Sequence, residues 1–335
     1  MHDETSSDVL KVWLYAAASV LLGAWLAPLL YNVGKALAEV SSAKQTNGLL
    51  EWLAGMCRTA EFPEFFQTSL LITGGVLFLP MIGWLRGGRT AENGPGWRLR
   101  ARAPAAGQRL LPNPRGFHQG AMGFLLVTLL FLLMAAVLVL AGVLDWKNPG
   151  VPLAKSLLRG GIIALALAVF QEILFRGIAM GIFLRAMRPA AALGMSAVLF
   201  ALVHFLNPPP DMNVVDPDAA RVGFELLRKI AGQFSEPRAI FGVFSPLLAL
   251  GFVLAYARWR TASLYLPIGL HAGWIFVNGL LGSVTLAANS PDSFMWVISG
   301  MSQRQGLVPL AGIVVAGVLA DYLTNAPHVT DDREA

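Results

Sequence analysis

The sequence predicts an all-α protein, a polytopic membrane helix bundle of about eight transmembrane helices. Of its 335 residues 56% are hydrophobic and only 13% are charged, roughly half the charged share of an ordinary soluble domain. The mean hydropathy is +0.60. The apolar residues are gathered into stretches of the length that crosses a hydrocarbon core, about 20 residues each. Eight stretches qualify: 10–33, 68–85, 120–143, 158–184, 190–206, 239–257, 262–285 and 306–323. The fifth is the shortest.

The loops carry the polar information. Loop one, residues 34–67, holds Leu49, Leu50, Trp52 and Leu53, then Phe62, Phe65 and Phe66, an aromatic amphipathic composition expected in the interface plane. Loop two carries Arg86, Arg89, Arg98, Arg100, Arg102, Arg109 and Arg115 against one acid, Glu92. Its Pro and Gly content predicts an irregular segment. Arg185 and Arg188 follow the fourth span, and Arg258 and Arg260 lie between the sixth and seventh. With eight spans these three basic loops share one side. The positive-inside rule then makes this a multi-pass protein of the cell membrane with both termini cytoplasmic.

Loop five opens with Asn207-Pro208-Pro209-Pro210, which stops a helix. Asp216 or Asp218 is placed to cap a short helix over 219–232 with Phe224, Leu227 and Ile230 on one side. Such a segment reads as surface covering or as a lid.

Several function classes lose support early. One cysteine, Cys57, permits neither an intramolecular disulfide nor a Cys-rich zinc site. The net charge of +5 comes from arginines flanking apolar spans, so it implies contact with anionic membrane lipids and no nucleic-acid partner. The acidic segment Met1–Asp8 is a poor signal-peptide start. No Gly-x-Ser-x-Gly elbow or His-Glu-x-x-His metal motif is present.

The chemistry-bearing residues lie inside the spans. Glu172 and Arg176 interrupt the apolar run of the fourth, and ionisable groups at such depth are functional-site candidates. Four residues apart, they share a helical face and can pair. Glu172 precedes Arg185 by 13 residues and His204 follows Pro189 by 15. Both therefore lie roughly 20 Å from the same turn, and His271 lies roughly 14 Å into its own span. An acid with two imidazoles can polarise water and stabilise an oxyanion. The same set, Glu172, His204 and His271, is an alternative zinc site. A proton relay for a small-solute transporter is a further reading, opposed by the absence of an internal repeat.

Three segments, Gln171-Glu172-x-x-x-Arg176, Phe200-x-x-x-His204 and Gly269-Leu270-His271-Ala272-Gly273-Trp274, resemble the signature motifs of the CPBP intramembrane proteases. That family comprises type II CAAX prenyl endopeptidases and bacteriocin-processing or self-immunity proteins. The resemblance spans about residues 158–280. It implies a catalytic core over 158–285, preceded by a three-span region over 1–157 and followed by a last span and polar tail over 286–335.

By resemblance, Glu172 and His204 activate water, His271 stabilises the oxyanion and Arg176 holds the acidic motif. The substrate is a membrane-anchored or lipidated peptide, and no cofactor is expected. Two positions depart from the family pattern, which has Glu where this chain has Gln171 and Asn where it has Ile275. Asn278, seven residues after His271, is the substitute donor to consider. The departures also define an alternative: a catalytically silent relative that binds, chaperones or confers immunity on membrane partners.

Overall fold

The computed structural model describes residues 2–43, 48–86, 113–147, 153–206, 208, 214–287 and 306–324. Helices dominate, as hydrocarbon requires, since only a helix or a closed barrel satisfies every backbone group there. In chain order they are α1 (His2–Ala43), α2 (Gly48–Thr59), α3 (Phe62–Arg86), α4 (Gly116–Leu140) and α5 (Leu153–Glu172). A π-helical stretch, Ile173–Ala179, joins α5 to α6 (Met180–Ala186). Then come α7 (Pro189–Phe205), α8 (Val222–Gly232), α9 (Pro237–Ala239), a second π stretch (Ile240–Phe244), α10 (Ser245–Thr261), α11 (Tyr265–Val284) and α12 (Leu307–Leu323).

Six helices among the described residues are long and apolar enough to cross a membrane: Ser7–Ser42, Phe62–Trp84, Gly116–Leu140, Leu157–Ala186, Ile240–Thr261 and Tyr265–Val284. The protein is an all-α, multi-pass membrane bundle. Two further apolar helices, α7 and α12, have 17 residues each. They are about 26 Å long, so two of the eight expected spans fall slightly short of the hydrocarbon thickness of about 30 Å. Outward residues fit a lipid surround: Leu71, Leu79 and Leu133 are each more than 60% exposed, a pattern that soluble monomers avoid.

Contacts divide the chain into two units, Met1–Gly96 with Val203–Glu236, and Trp97–Leu202 with Pro237–Ala335.

In the first unit, α1 packs along α3, and hydroxyls bridge the two. Ser69 Oγ donates to the Gly23 carbonyl and Thr73 Oγ1 to the Ser19 carbonyl, each at 2.7 Å. Tyr15 Oη donates to the Gly74 carbonyl at the same distance. Each such interhelical bond is worth about 0.6–2 kcal/mol in a membrane. Ser69→Ala combined with Thr73→Val is therefore expected to lower the unfolding free energy in detergent by about 1–3 kcal/mol. An unchanged denaturation midpoint would show these hydroxyls to be incidental.

The first unit corrects three sequence expectations. Loop one is mostly helix: α1 runs on to Ala43, and α2 and α3 fill most of the remaining residues to 67. Phe62, Phe65 and Phe66 are buried rather than interfacial, and Tyr31 packs its ring 5.3 Å from that of Phe65. Leu49 and Trp52 on α2 do remain exposed. The helix expected over 219–232 is α8, but it buries Val222, Leu226 and Ile230, whereas Phe224 is exposed. The reason is Gly223, which meets the Ala24 backbone where a methyl group would collide and so fixes the rotation of α8. No side chain caps α8, and Asp216 Oδ1 instead accepts from the Asp218 amide.

The second unit is centred on α11, which packs closely on α4 and also meets α5 and α10. Its core includes Phe131, Phe200, Leu254, Leu270, Trp274 and Val277. A small antiparallel ribbon, Leu144–Trp146 with Thr285–Ala287, ties the ends of α4 and α11 together. Nothing in the hydropathy pattern predicts it.

Candidate active site

Local sequence fixes where the polar residues of the second unit point. Glu172 is the last residue of α5, and Arg176 lies in the π-helical turns just after it. π turns of this kind often mark functional sites. The two side chains are wholly buried, and Arg176 Nη1 donates to Glu172 Oε1 at 3.0 Å. The other arginine terminus, Nη2, donates to the Gly251 carbonyl of α10 at 3.0 Å. Gly251 has no side chain because Ala197 of α7 lies against it, with backbone atoms 3.0 Å from where a Cβ would stand.

Phe200 of α7 covers the guanidinium, its ring centre 4.4 Å from Arg176 Cζ. A desolvated cation over an aromatic face gains about 2 kcal/mol. Arg176 is thus held by a carboxylate, a carbonyl and a ring from three different helices.

His271 arrives from α11. Gly269 and Gly273, on either side of it in sequence, press that helix onto α4. A methyl group at Gly269 would collide with the Gly120 carbonyl, and one at Gly273 would lie 2.7 Å from the Phe124 carbonyl. Two residues away from each glycine is about 200° around the helix, so His271 projects from the opposite side. There His271 Nδ1 lies 2.7 Å from Glu172 Oε1. The Phe200 and His271 rings meet edge to face, with centres 5.5 Å apart and planes at 71°.

One carboxylate oxygen therefore serves both Arg176 and His271 in surroundings almost closed to solvent. The second, Oε2, is buried without a hydrogen-bond partner among the described residues. A buried carboxylate with one bare oxygen retains capacity for a further donor.

Gln171 is half-buried at the end of α5. Asn278 is buried, and its Nδ2 donates to the Trp274 carbonyl one turn back on its own helix, at 2.8 Å. Ile275 packs against the apolar core. His204 is half-buried and groups by its contacts with the first unit. The second unit thus joins Glu172, Arg176 and His271.

Among the described residues no group of three or more His, Cys, Asp or Glu side chains is arranged to hold a metal ion. What sequence reasoning missed is the part played by Phe200, Gly251 and the paired glycines of α11. The glycines were visible as a four-residue spacing around the histidine.

Residues 153–277 match the family model described as type II CAAX prenyl endopeptidase Rce1-like. No curated protein and no solved structure matches the chain.

Proposed function

We propose that this chain is a CPBP-type membrane-embedded endopeptidase that hydrolyses a peptide bond of a membrane-anchored or lipidated peptide, a reading supported by the match of residues 153–277 to the Rce1-like family model. The observation that carries this reading is the buried contact of His271 Nδ1 with Glu172 Oε1 at 2.7 Å. An acid–imidazole pair of this kind is the usual device for activating water. Arg176 pairs with the carboxylate at 3.0 Å, and the apolar setting strengthens each interaction at the pair.

No cofactor is needed for this chemistry. The substrate reaches the site from the lipid phase, and anionic lipids meet the arginine-rich loops on the cytoplasmic side of the cell membrane, where both termini lie.

The test is cleavage of a farnesylated CAAX-type peptide and of a leader peptide by the protein in liposomes, with products identified by mass. Glu172→Ala and His271→Ala are expected to abolish cleavage while leaving membrane insertion intact. His204→Ala is the companion variant, since the motif resemblance assigns that imidazole to the same reaction. Full activity of both Glu172→Ala and His271→Ala would reject the assignment. An inert wild type made active by Gln171→Glu with Ile275→Asn would mark a silent relative instead.

A further inference from the structure

The first unit holds positive charge at a depth where hydrocarbon does not accept it. There α1 and α3 run antiparallel from Lys11, whose Nζ donates to the Trp84 carbonyl, to Tyr31, whose ring packs on Phe62. Phe62 and Trp84 are the two ends of the apolar stretch of α3, so these contacts mark the edges of the hydrocarbon beside α1. Ala24 precedes Tyr31 by seven residues and lies about 10 Å inside the nearer edge. The bond from Ser69 Oγ to the Gly23 carbonyl gives the same level, since Ser69 follows Phe62 by seven residues. Gly223 seats the start of α8 against the backbone of Ala24 at this depth.

The inner face of α8 is apolar, with Val222, Leu226 and Ile230 buried. Its outer face carries Arg221, Phe224 and Arg228, all exposed, and the two arginines stand two turns apart on one line. Neither arginine has an ion pair or a side-chain hydrogen bond among the described residues. Three basic residues, Arg221, Arg228 and Lys229, against one acid, Glu225, leave α8 and its cap residue at +2. Arginines at such depth extend their long stems toward phosphates or water. The neighbouring surface of α1 is apolar. Leu21, Trp25 and Leu29 stand four residues apart, each more than half exposed, and form one lipid-facing stripe. Trp25 adjoins Ala24, so the stripe passes directly alongside the seat of α8.

We propose that a phospholipid with an anionic headgroup binds in the angle between α1 and α8. Its acyl chains lie along Leu21, Trp25 and Leu29, and Arg221 and Arg228 hold its phosphate. A guanidinium presents paired donors that match two phosphate oxygens at once, and basic pockets beside spans bind lipid head groups. The charge of α8 selects among lipids. A phosphatidylglycerol headgroup keeps its full negative charge against the +2, whereas the choline of phosphatidylcholine brings a cation into the same field. The lipid belongs to the leaflet away from the amino terminus, since Ala24 lies toward the Tyr31 edge.

The experiment titrates the full chain, delipidated in detergent, with phosphatidylglycerol or phosphatidylcholine and counts bound lipids by native mass spectrometry. The wild type is expected to hold its tightest phosphatidylglycerol in clear preference to phosphatidylcholine. Arg221→Gln with Arg228→Gln is expected to weaken that binding by about 25-fold, about fivefold for each arginine. Arg221→Lys with Arg228→Lys keeps both charges and should retain most of the affinity, which separates loss of the site from misfolding. Trp25→Ala should weaken the same lipid while leaving the preference between headgroups in place. Glycerol 3-phosphate, which carries the phosphate without acyl chains, should not compete. Competition by glycerol 3-phosphate would show a site for soluble anions and overturn the lipid assignment. Equal affinity for the two lipids, or unchanged phosphatidylglycerol binding in the double glutamine variant, overturns it as well.

Discussion

Arg176→Ala is expected to destabilise the protein by about 3–5 kcal/mol, because it strips a buried carboxylate of its charged partner. The loss extends further, since the same guanidinium donates to the Gly251 carbonyl and stacks on Phe200. Arg176→Lys is expected to recover little, as one ammonium lacks the planar fork that reaches both acceptors. The decisive comparison is a double variant. Arg176→Met with Glu172→Leu removes both charges and should be more stable than either single variant, since a buried pair is worth less than the penalty of breaking it. Unfolding midpoints in one detergent read the order. A double variant less stable than both singles would show the ion pair to be a net source of stability.

The second large effect belongs to Gly269. A methyl group there collides with the Gly120 carbonyl, a backbone atom that cannot swing aside, so α11 and α4 must separate. Gly269→Ala is expected to cost about 3 kcal/mol, the upper end for overpacking. It should also cut turnover by about 100-fold, the usual consequence of moving a reacting group by about 1 Å. Gly279 on the same helix supplies the control, with nothing within 4 Å of where its Cβ would stand. Gly279→Ala is expected to be neutral or stabilising by up to about 1 kcal/mol, because alanine favours helix. Equal losses in the two variants would place the effect in the helix rather than in its contact with α4.

What could be read from the chain alone depended on how strongly each residue was constrained by itself. A charge in an apolar run has few places to go, so Glu172 and Arg176 announced their pairing, and the four-residue spacing predicted its geometry. The contact between Glu172 and His271 was less legible, because counting residues from the loops sets Glu172 level with His204 at roughly 20 Å and His271 at roughly 14 Å.

Rotation is less readable. Phe224 and Leu227 seemed as fit to be buried as Val222 and Leu226, and only the close approach of Gly223 to Ala24 selects between them. The length of α1 was underestimated for a related reason. Beyond residue 33 its sequence turns more polar, which resembles a loop in hydropathy, while its inner face continues, with Gly34 against the Phe65 ring and Ala38 buried. Phe200 escaped notice as a partner of Arg176 because an aromatic residue in an apolar span carries no such signal until the cation beneath it is known.

The π turns at Ile173–Ala179 have a consequence for any comparison of this span with others. Each widened turn takes up about one extra residue, so the stretch before Glu172 and the stretch after Ala179 are out of phase by roughly 100°. A helical wheel drawn straight through residues 157–186 would scatter what are two coherent stripes. Matching the span to an unbroken α-helix requires a single-residue gap near Arg176, and a scan of substitutions along it should show its periodicity of tolerance break at that point.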